Sequence, residues 1–129
     1  MKLNIIIHGS GYSSQSGYSA FRFAQAALNA GHEVSQVFFY QDGVSQANDL
    51  NVPLSDEFNP VEEWASLADS HGLRLLVCIS AAERRGIIGA EQQSELGKST
   101  HNLNSQFEIA GLGLMLDASL CSDRTVTFR

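Results

Sequence analysis

Cys78 is the residue of this chain whose surroundings most favour chemistry. It lies near the end of the apolar run at residues 73–79, and residues 80–83 (SAAE) then form a capping-box pattern that starts a helix. Backbone amides at a helix N-terminus stabilise a nearby anion, so a thiolate is favoured there. Such a thiolate is a nucleophile and can carry a second sulfur atom as a persulfide. Arg84 and Arg85 follow closely and add positive charge.

Two interpretations of Cys78 remain open at this point, a reactive thiol or an inert core thiol, because cysteine is among the residues most often buried. Cys121 precedes the last predicted strand, so we expect it at the opposite edge of the sheet. A five-residue strand spans roughly 17 Å, whereas a disulfide needs Cα atoms within about 7 Å. We therefore expect no bridge between the two cysteines and predict that Cys121 is a buried, structural thiol.

Other motifs lack the spacing that their chemistry requires. Residues 9–14 (GSGYSS) follow a strand, yet Ser14 stands where the dinucleotide-binding fingerprint needs glycine. Residues 97–99 (GKS) resemble the end of a phosphate-binding loop, but Gln92 replaces its first glycine. No metal-ligand spacing relates the scattered histidines. Tyr40, which we expect at the same sheet edge as Cys78, is the aromatic residue of most interest.

Composition limits the protein class before any motif is considered. The 129 residues are 43% hydrophobic and 17% charged, which is typical of a single globular domain over residues 1–129. The formal net charge of −6 argues against a general surface for nucleic acid. No apolar run approaches the roughly 20 residues that span a bilayer. Two cysteines without an export signal favour a cytoplasmic location.

Short β-type runs alternate with helical periods along the whole chain. Strands are predicted at residues 3–7, 34–40, 73–79, 106–109 and 125–128. Helices are predicted at residues 16–30, 60–71, 91–97 and 111–120, and a further helix is predicted to start at Ser80. This alternation predicts a three-layer α/β domain with a mostly parallel sheet of about five strands in a flavodoxin-like order.

The segment at residues 41–58 is predicted to be a long loop. It is polar, contains Gly43 and Pro53, and shows no clear period. Loops of this length are uncommon in compact domains and are usually functional or mobile. We expect this loop to cover the thiol of Cys78 or to dock a partner.

The chain also resembles the DsrE family of sulfur-relay proteins. The similarity runs nearly end to end, and its most specific part is residues 77–86 (VCISAAERRG). It is also carried by residues 21–26, 31–33, 37–44 and 111–113. The resemblance implies the α/β fold and a sulfurtransferase in which Cys78 holds the persulfide.

The resemblance further implies partners and a purpose. Cys78 would accept sulfane sulfur from a TusA-like donor and pass it to a TusE-like acceptor, for 2-thiolation of the wobble uridine of certain tRNAs. TusB- and TusC-like subunits would complete a hetero-oligomer, with no metal, no organic cofactor, no direct contact with nucleic acid and no membrane. The alternatives are a DsrE-type subunit in dissimilatory sulfur oxidation, a non-catalytic structural subunit, and a flavodoxin-like nucleotide- or FMN-binding module, for which residues 9–14 are a poor match.

Overall fold

Strands and helices alternate through the structure, a computed structural model that describes residues 1–129. The strands are β1 (Lys2–Ile7), β2 (Glu33–Phe39), β3 (Leu75–Cys78), β4 (Phe107–Ala110) and β5 (Arg124–Phe128). The helices are α1 (Ser16–Asn29), α2 (Pro60–His71), α3 (Ile79–Arg84), α4 (Ala90–Leu96) and α5 (Leu112–Cys121), and a 3₁₀ helix covers Gln41–Ala47. The predicted alternation is confirmed, with element ends displaced by a residue or two.

All five strands are parallel and form one sheet in the order β4-β3-β2-β1-β5. The predicted α/β class is therefore confirmed. The strand order, however, is not that of flavodoxin, in which the second strand lies at the edge beside the first. Here β5 occupies that edge, because the last connection crosses back over the whole sheet. None of the helices is both long and apolar enough to cross a bilayer.

One face of the sheet is covered by α1 and α2 through a chain of aromatic contacts. The ring of Trp64 in α2 lies 5.3 Å from Phe21 of α1 and 5.4 Å from Phe39 of β2, measured between ring centroids. Phe39 in turn lies 5.3 Å from Phe107 of β4. Edge-to-face pairs of this kind add about 0.5–1.5 kcal/mol each beyond their buried area, so this face forms the main core.

The opposite face carries α5, whose Met115 packs against the core and which also forms hydrogen bonds with β1 and β2. The Asn4 side chain of β1 donates a hydrogen bond to Ser119 (3.0 Å), and Gln36 of β2 donates one to the carbonyl of Leu114 (3.1 Å). No residue of α5 is fully buried, although the helix is rich in leucine. Its leucines therefore lie largely on the outer surface of the domain.

Helix α2 begins and ends where the sequence predicts. The Asn59 side chain accepts a hydrogen bond from the amide of Glu62 (3.3 Å), and Pro60 occupies the first helical position. Gly72 ends the helix with φ of 63°, a left-handed conformation that glycine adopts without a Cβ clash. These local signals are enough to predict both ends of α2, because each of them acts within one turn of the helix.

The predicted long loop at residues 41–58 is only partly a loop. Its first part is the 3₁₀ helix Gln41–Ala47, whose residues Gly43, Val44, Gln46 and Ala47 are buried. This helix packs directly on the end of β1: the amide of Tyr40 donates to the carbonyl of Ile7 (2.9 Å), and a Cβ on Gly43 would overlap that same carbonyl. Only the following residues, up to Phe58, are an exposed connection.

Gln46 is a fully buried polar side chain that joins three segments. Its Nε2 donates to the carbonyl of Gly9 (3.0 Å), and its Oε1 accepts from the indole Nε1 of Trp64 (3.0 Å). Buried polar groups are tolerated when they are paired in this way. Gln46 therefore fixes the loop after β1 and the 3₁₀ helix against α2.

Replacing Gln46 with Leu should destabilise the fold by about 1–3 kcal/mol, because it leaves the Trp64 N–H and the Gly9 carbonyl buried without partners. Urea denaturation followed by Trp64 fluorescence measures this change. The exposed Gln106→Leu, just before β4, serves as the control and should leave the midpoint nearly unchanged. A Gln46→Leu midpoint equal to that of the wild type would show that the hydrogen bonds do not hold these segments.

Candidate functional site

The carboxyl edge of the sheet brings three side chains of chemical interest into one row. Ile7 of β1 pairs in register with Phe39 of β2, and Phe39 pairs with Val77 of β3. The next residue of each strand is therefore His8, Tyr40 and Cys78, which lie side by side about one strand spacing apart. The rings of His8 and Tyr40 are in edge-to-face contact at 5.5 Å. Cys78 pairs on its other side with Ala110 of β4.

Cys78 itself is the N-cap residue of α3, since β3 ends at Cys78 and the helix begins at Ile79. The prediction that Ser80 caps this helix is therefore wrong, and Ser80 lies within its first turn. The Oγ of Ser80 is 3.5 Å from the Sγ of Cys78, within hydrogen-bonding distance for sulfur. The strand thus delivers the thiol directly to the helix N-terminus, closer than the sequence pattern suggests.

The two thiols differ in exposure, and in the opposite sense to the sequence expectation. Cys78 is 1% exposed and belongs to the hydrophobic core, while Cys121 at the end of α5 is exposed. The prediction of a buried Cys121 is therefore wrong. Both thiols are free, and Cys121 lines a small cleft with Lys2 and Arg74 at the amino-terminal edge, opposite Cys78.

The 3₁₀ helix packs against both β3, which ends at Cys78, and α3, which begins at the next residue, and we propose that it covers the thiol. An ion pair ties the 3₁₀ helix to the end of α3: the Nε of Arg85 donates to the carboxylate of Asp42 at 2.9 Å. A second Arg85 donor reaches the carbonyl of Ala81 at 3.1 Å. The positive charge expected near the thiol is thus present at Arg85 but already paired, and Arg84 is exposed.

Sequence analysis missed His8, Asp42 and Gln41 at this edge. Gln41 has a positive φ of 49°, which is uncommon for a residue other than glycine. With His8 and Asp42 it lines a polar cleft of about 570 Å³ that does not include Cys78. His8 follows β1 at the position where Tyr40 follows β2, so pairing the two predicted strands in parallel would have placed His8 beside Tyr40. No sequence pattern reveals the Asp42–Arg85 pair.

The histidines of the chain do not combine with other side chains into a metal site. No cluster of three or more histidine, cysteine or acidic side chains able to hold a metal ion forms in the chain. His71 lies at the end of α2, where its Nδ1 is 3.3 Å from the carbonyl of Leu67, a contact typical of a histidine with a structural role at a helix end.

The fold and this edge define a parallel α/β domain with a cysteine at the end of an interior strand. Comparison with known families matches residues 1–128 to the DsrE/DsrF-like family, and the chain belongs to that family. Among solved structures, the ychN protein from E. coli superposes with a TM-score of 0.79 at 21% sequence identity, over 99% of each chain. The expected family is thus confirmed, and with it a general role in sulfur relay.

Breaking the Asp42–Arg85 ion pair should expose Cys78 more often. An exposed pair contributes up to about 1 kcal/mol, so Asp42→Asn should accelerate labelling of Cys78 by an aromatic disulfide reagent up to about fivefold. The measurement uses a Cys121→Ser background, in which the absorbance of the released thiolate reports Cys78 alone.

A matched control exists at the other end of the sheet, where Lys2 pairs with Glu33 at 3.5 Å. Glu33→Gln removes a similar exposed ion pair far from the thiol and should leave the labelling rate unchanged. Equal rates in Asp42→Asn and the parent protein would contradict the assignment of the 3₁₀ helix as the cover that moves.

Proposed function

We propose that this protein is a TusD-type sulfurtransferase subunit that carries sulfane sulfur as a persulfide on Cys78. The observation that carries the proposal is the position of Cys78: it ends an interior parallel strand and caps the helix that follows, in a chain that belongs to the DsrE/DsrF-like family. Ligand and reaction sites of parallel α/β folds lie at this edge of the sheet.

The proposed reaction consists of two thiol–persulfide exchanges. In the first, the Cys78 thiolate attacks the terminal sulfur of a donor persulfide, R–S–SH. The new S–S bond forms as the donor S–S bond breaks, and the donor leaves as R–S⁻. In the second, an acceptor thiolate takes the same terminal sulfur, and Cys78 leaves as a thiolate. No net oxidation occurs, and neither a metal nor an organic cofactor is required.

Two features near the sulfur favour the anionic form that both steps need. The hydroxyl of Ser80, 3.5 Å away, donates a hydrogen bond when Cys78 is a thiolate, because a thiolate only accepts. The N-cap position also places Cys78 at the positively polarised end of α3, although its sulfur accepts no capping hydrogen bond there. Each interaction also stabilises the leaving thiolate of the second step.

The burial of Cys78 means that transfer requires a local opening. A donor sulfur must approach the nucleophile along the S–S axis, and a side chain with 1% exposure leaves no room for that approach. We propose that the 3₁₀ helix Gln41–Ala47 moves away from α3 when a partner docks. It is held at this end by the exposed Asp42–Arg85 pair, which is a weak restraint.

The proposed pathway is the one implied by the resemblance. A TusA-like donor supplies sulfur in the cytoplasm, and a TusE-like acceptor carries it on toward 2-thiolation of the tRNA wobble uridine. The net charge of −6 supports exchange with protein partners and not direct contact with tRNA, whose phosphates would be repelled.

The second candidate function is that of a non-catalytic subunit, which the burial of Cys78 favours. In that role the thiol is one more small apolar side chain of the core, packed between β2 and β4. The fold alone does not decide between the two functions, since activity belongs to the site.

The outer face of α5 provides a surface for the proposed TusB- and TusC-like subunits. Its residues Leu116 and Leu120 are 58% and 76% exposed, and Leu112 and Leu114 are also exposed. The only charged residue in the helix is Asp117. A contiguous apolar helix face with polar contacts beneath it is typical of a subunit interface, so we propose that α5 packs against a related subunit.

Sulfur loading tests the catalytic proposal. After incubation with polysulfide and removal of the excess, the Cys121→Ser protein should gain the mass of one sulfur atom, and a reductant should remove it. Intact-mass spectrometry measures the gain, and tryptic peptides locate it at Cys78.

The Cys121→Ser background is needed because the exposed Cys121 takes up sulfur from a small donor whatever its role. The double variant Cys78→Ser/Cys121→Ser should gain nothing. If the Cys121→Ser protein also gains nothing, even when Asp42→Asn is added to loosen the cover, the non-catalytic subunit becomes the better account.

Assembly tests the α5 proposal. When the tagged chain is co-expressed with TusB- and TusC-like proteins, they should co-purify with it in stoichiometric amounts. Leu116→Glu with Leu120→Glu should abolish co-purification, because two charges would be buried without partners. Val52→Glu is the matched control: Val52 is 91% exposed but lies outside α5, so assembly should persist. Unchanged assembly of the α5 variant would remove this surface from consideration.

A further inference from the structure

A second cleft at the carboxyl edge is built from aromatic rings and one carboxylate. Its volume is about 460 Å³, and it lies between the loop that follows β1 and the end of the connection that precedes α2. Tyr12, Tyr18, Phe58 and Glu57 line it together with small and polar residues. Its lining contains neither Cys78 nor any residue of the row beside Cys78.

The aromatic wall of this cleft is anchored to the core. The ring of Phe58 lies 5.0 Å from Tyr18 and 5.2 Å from Phe21, and Phe21 contacts Trp64 at 5.3 Å. The contacts run without a break from the exposed Tyr18 to the fully buried Trp64. A wall held in this way keeps its shape when the cleft is empty, which reduces the entropic cost of binding.

The carboxylate of Glu57 is also held in place. One of its oxygens accepts a hydrogen bond from the backbone amide of Leu54 at 3.0 Å. Tyr12 and Glu57 line the same cleft, and partial burial together with the negative charge of Glu57 raises the pKa of the Tyr12 phenol. No basic side chain lines the cleft to neutralise the charge.

One ring of the cleft already contacts an arginine of the same helix. The guanidinium of Arg22 lies 5.8 Å from the centre of the Tyr18 ring, and its NH1 donates to the Tyr18 hydroxyl at 2.9 Å. Arg22 is not part of the cleft lining, so it approaches Tyr18 from outside. Arginine stacks on aromatic faces and pairs with carboxylates, and this cleft offers aromatic rings and a carboxylate oxygen that accepts no other hydrogen bond.

From this arrangement we infer that the cleft formed by Tyr12, Tyr18, Glu57 and Phe58 binds an arginine side chain presented by a partner protein. The guanidinium pairs with the free oxygen of Glu57 and lies against the tyrosine rings. The inference is independent of the reaction at Cys78, because it uses none of the same residues. The site thus recognises a partner at the same edge of the sheet at which sulfur would be exchanged.

A titration with short peptides tests this inference. The ¹⁵N-labelled protein is titrated with acetyl-Gly-Arg-Gly-amide, and with the same peptide containing citrulline, which is neutral and nearly the same shape. The arginine peptide should shift the amide signals of residues 11–18 and 57–58 in a saturable way. The citrulline peptide should bind at least tenfold more weakly.

Two variants separate the contributions to the site. Glu57→Gln should weaken arginine binding at least tenfold and remove the preference over citrulline. Tyr12→Ala should weaken it several-fold, while Glu91→Gln, an exposed acid of α4, should change nothing. The spread of amide signals verifies that each variant is folded. The inference is overturned if the two peptides bind alike, if Glu57→Gln binds as the wild type does, or if no shifts concentrate at the cleft.

Discussion

The right-handed crossover between parallel strands is the constraint from which most of this structure follows. Three crossovers step in one direction from β1 to β4, so their helices share a face, and the core of aromatic rings lies under α1 and α2. The fourth crossover returns to the other side of β1, and the same handedness places α5 on the opposite face. Helix α5 then packs on the face opposite α1 and α2. Asn4 and Gln36 meet it with hydrogen bonds, and its leucines are left outside.

The carboxyl edge is closed by a different means. Parallel strands end there without a hairpin, and the carbonyl of Ile7 is covered by the 3₁₀ helix, which approaches closely because residue 43 is glycine. Gln46 then binds this helix to the loop after β1 and to Trp64. The segment that seals this edge also packs against β3 and α3, the two elements that meet at Cys78. Stability of the edge and access to the thiol depend on the same few contacts.

Most of the elements could be predicted from the sequence, because a helix cap or a strand period acts over a few residues. Asn59, Pro60 and Gly72 bounded α2 correctly for this reason. The strand order could not be predicted, because periodicity reports which side of a strand is buried but not which strand lies beside it. The 3₁₀ helix was missed because Gln46 is polar by type and buried only through partners distant in sequence. Cys121 was expected inside for a related reason: the apolar pattern of α5 does not show that its leucines face outward.

Burial of Cys78, the proposed sulfur carrier, is compatible with transfer if opening is brief and coupled to docking. A thiol that is exposed in a fraction of the molecules reacts with small reagents at a rate reduced by that fraction, so an open population of about 1% slows them roughly a hundredfold. A partner that binds only the open form uses its own binding energy to raise the open population, and so offsets this loss of rate. Small thiols such as glutathione have no such binding energy and would remain excluded, which protects a persulfide between the two transfer steps. Under the proposed mechanism, the cover that lowers the intrinsic reactivity of Cys78 also raises its selectivity for protein partners, and the weak Asp42–Arg85 restraint suits a cover that opens in each cycle.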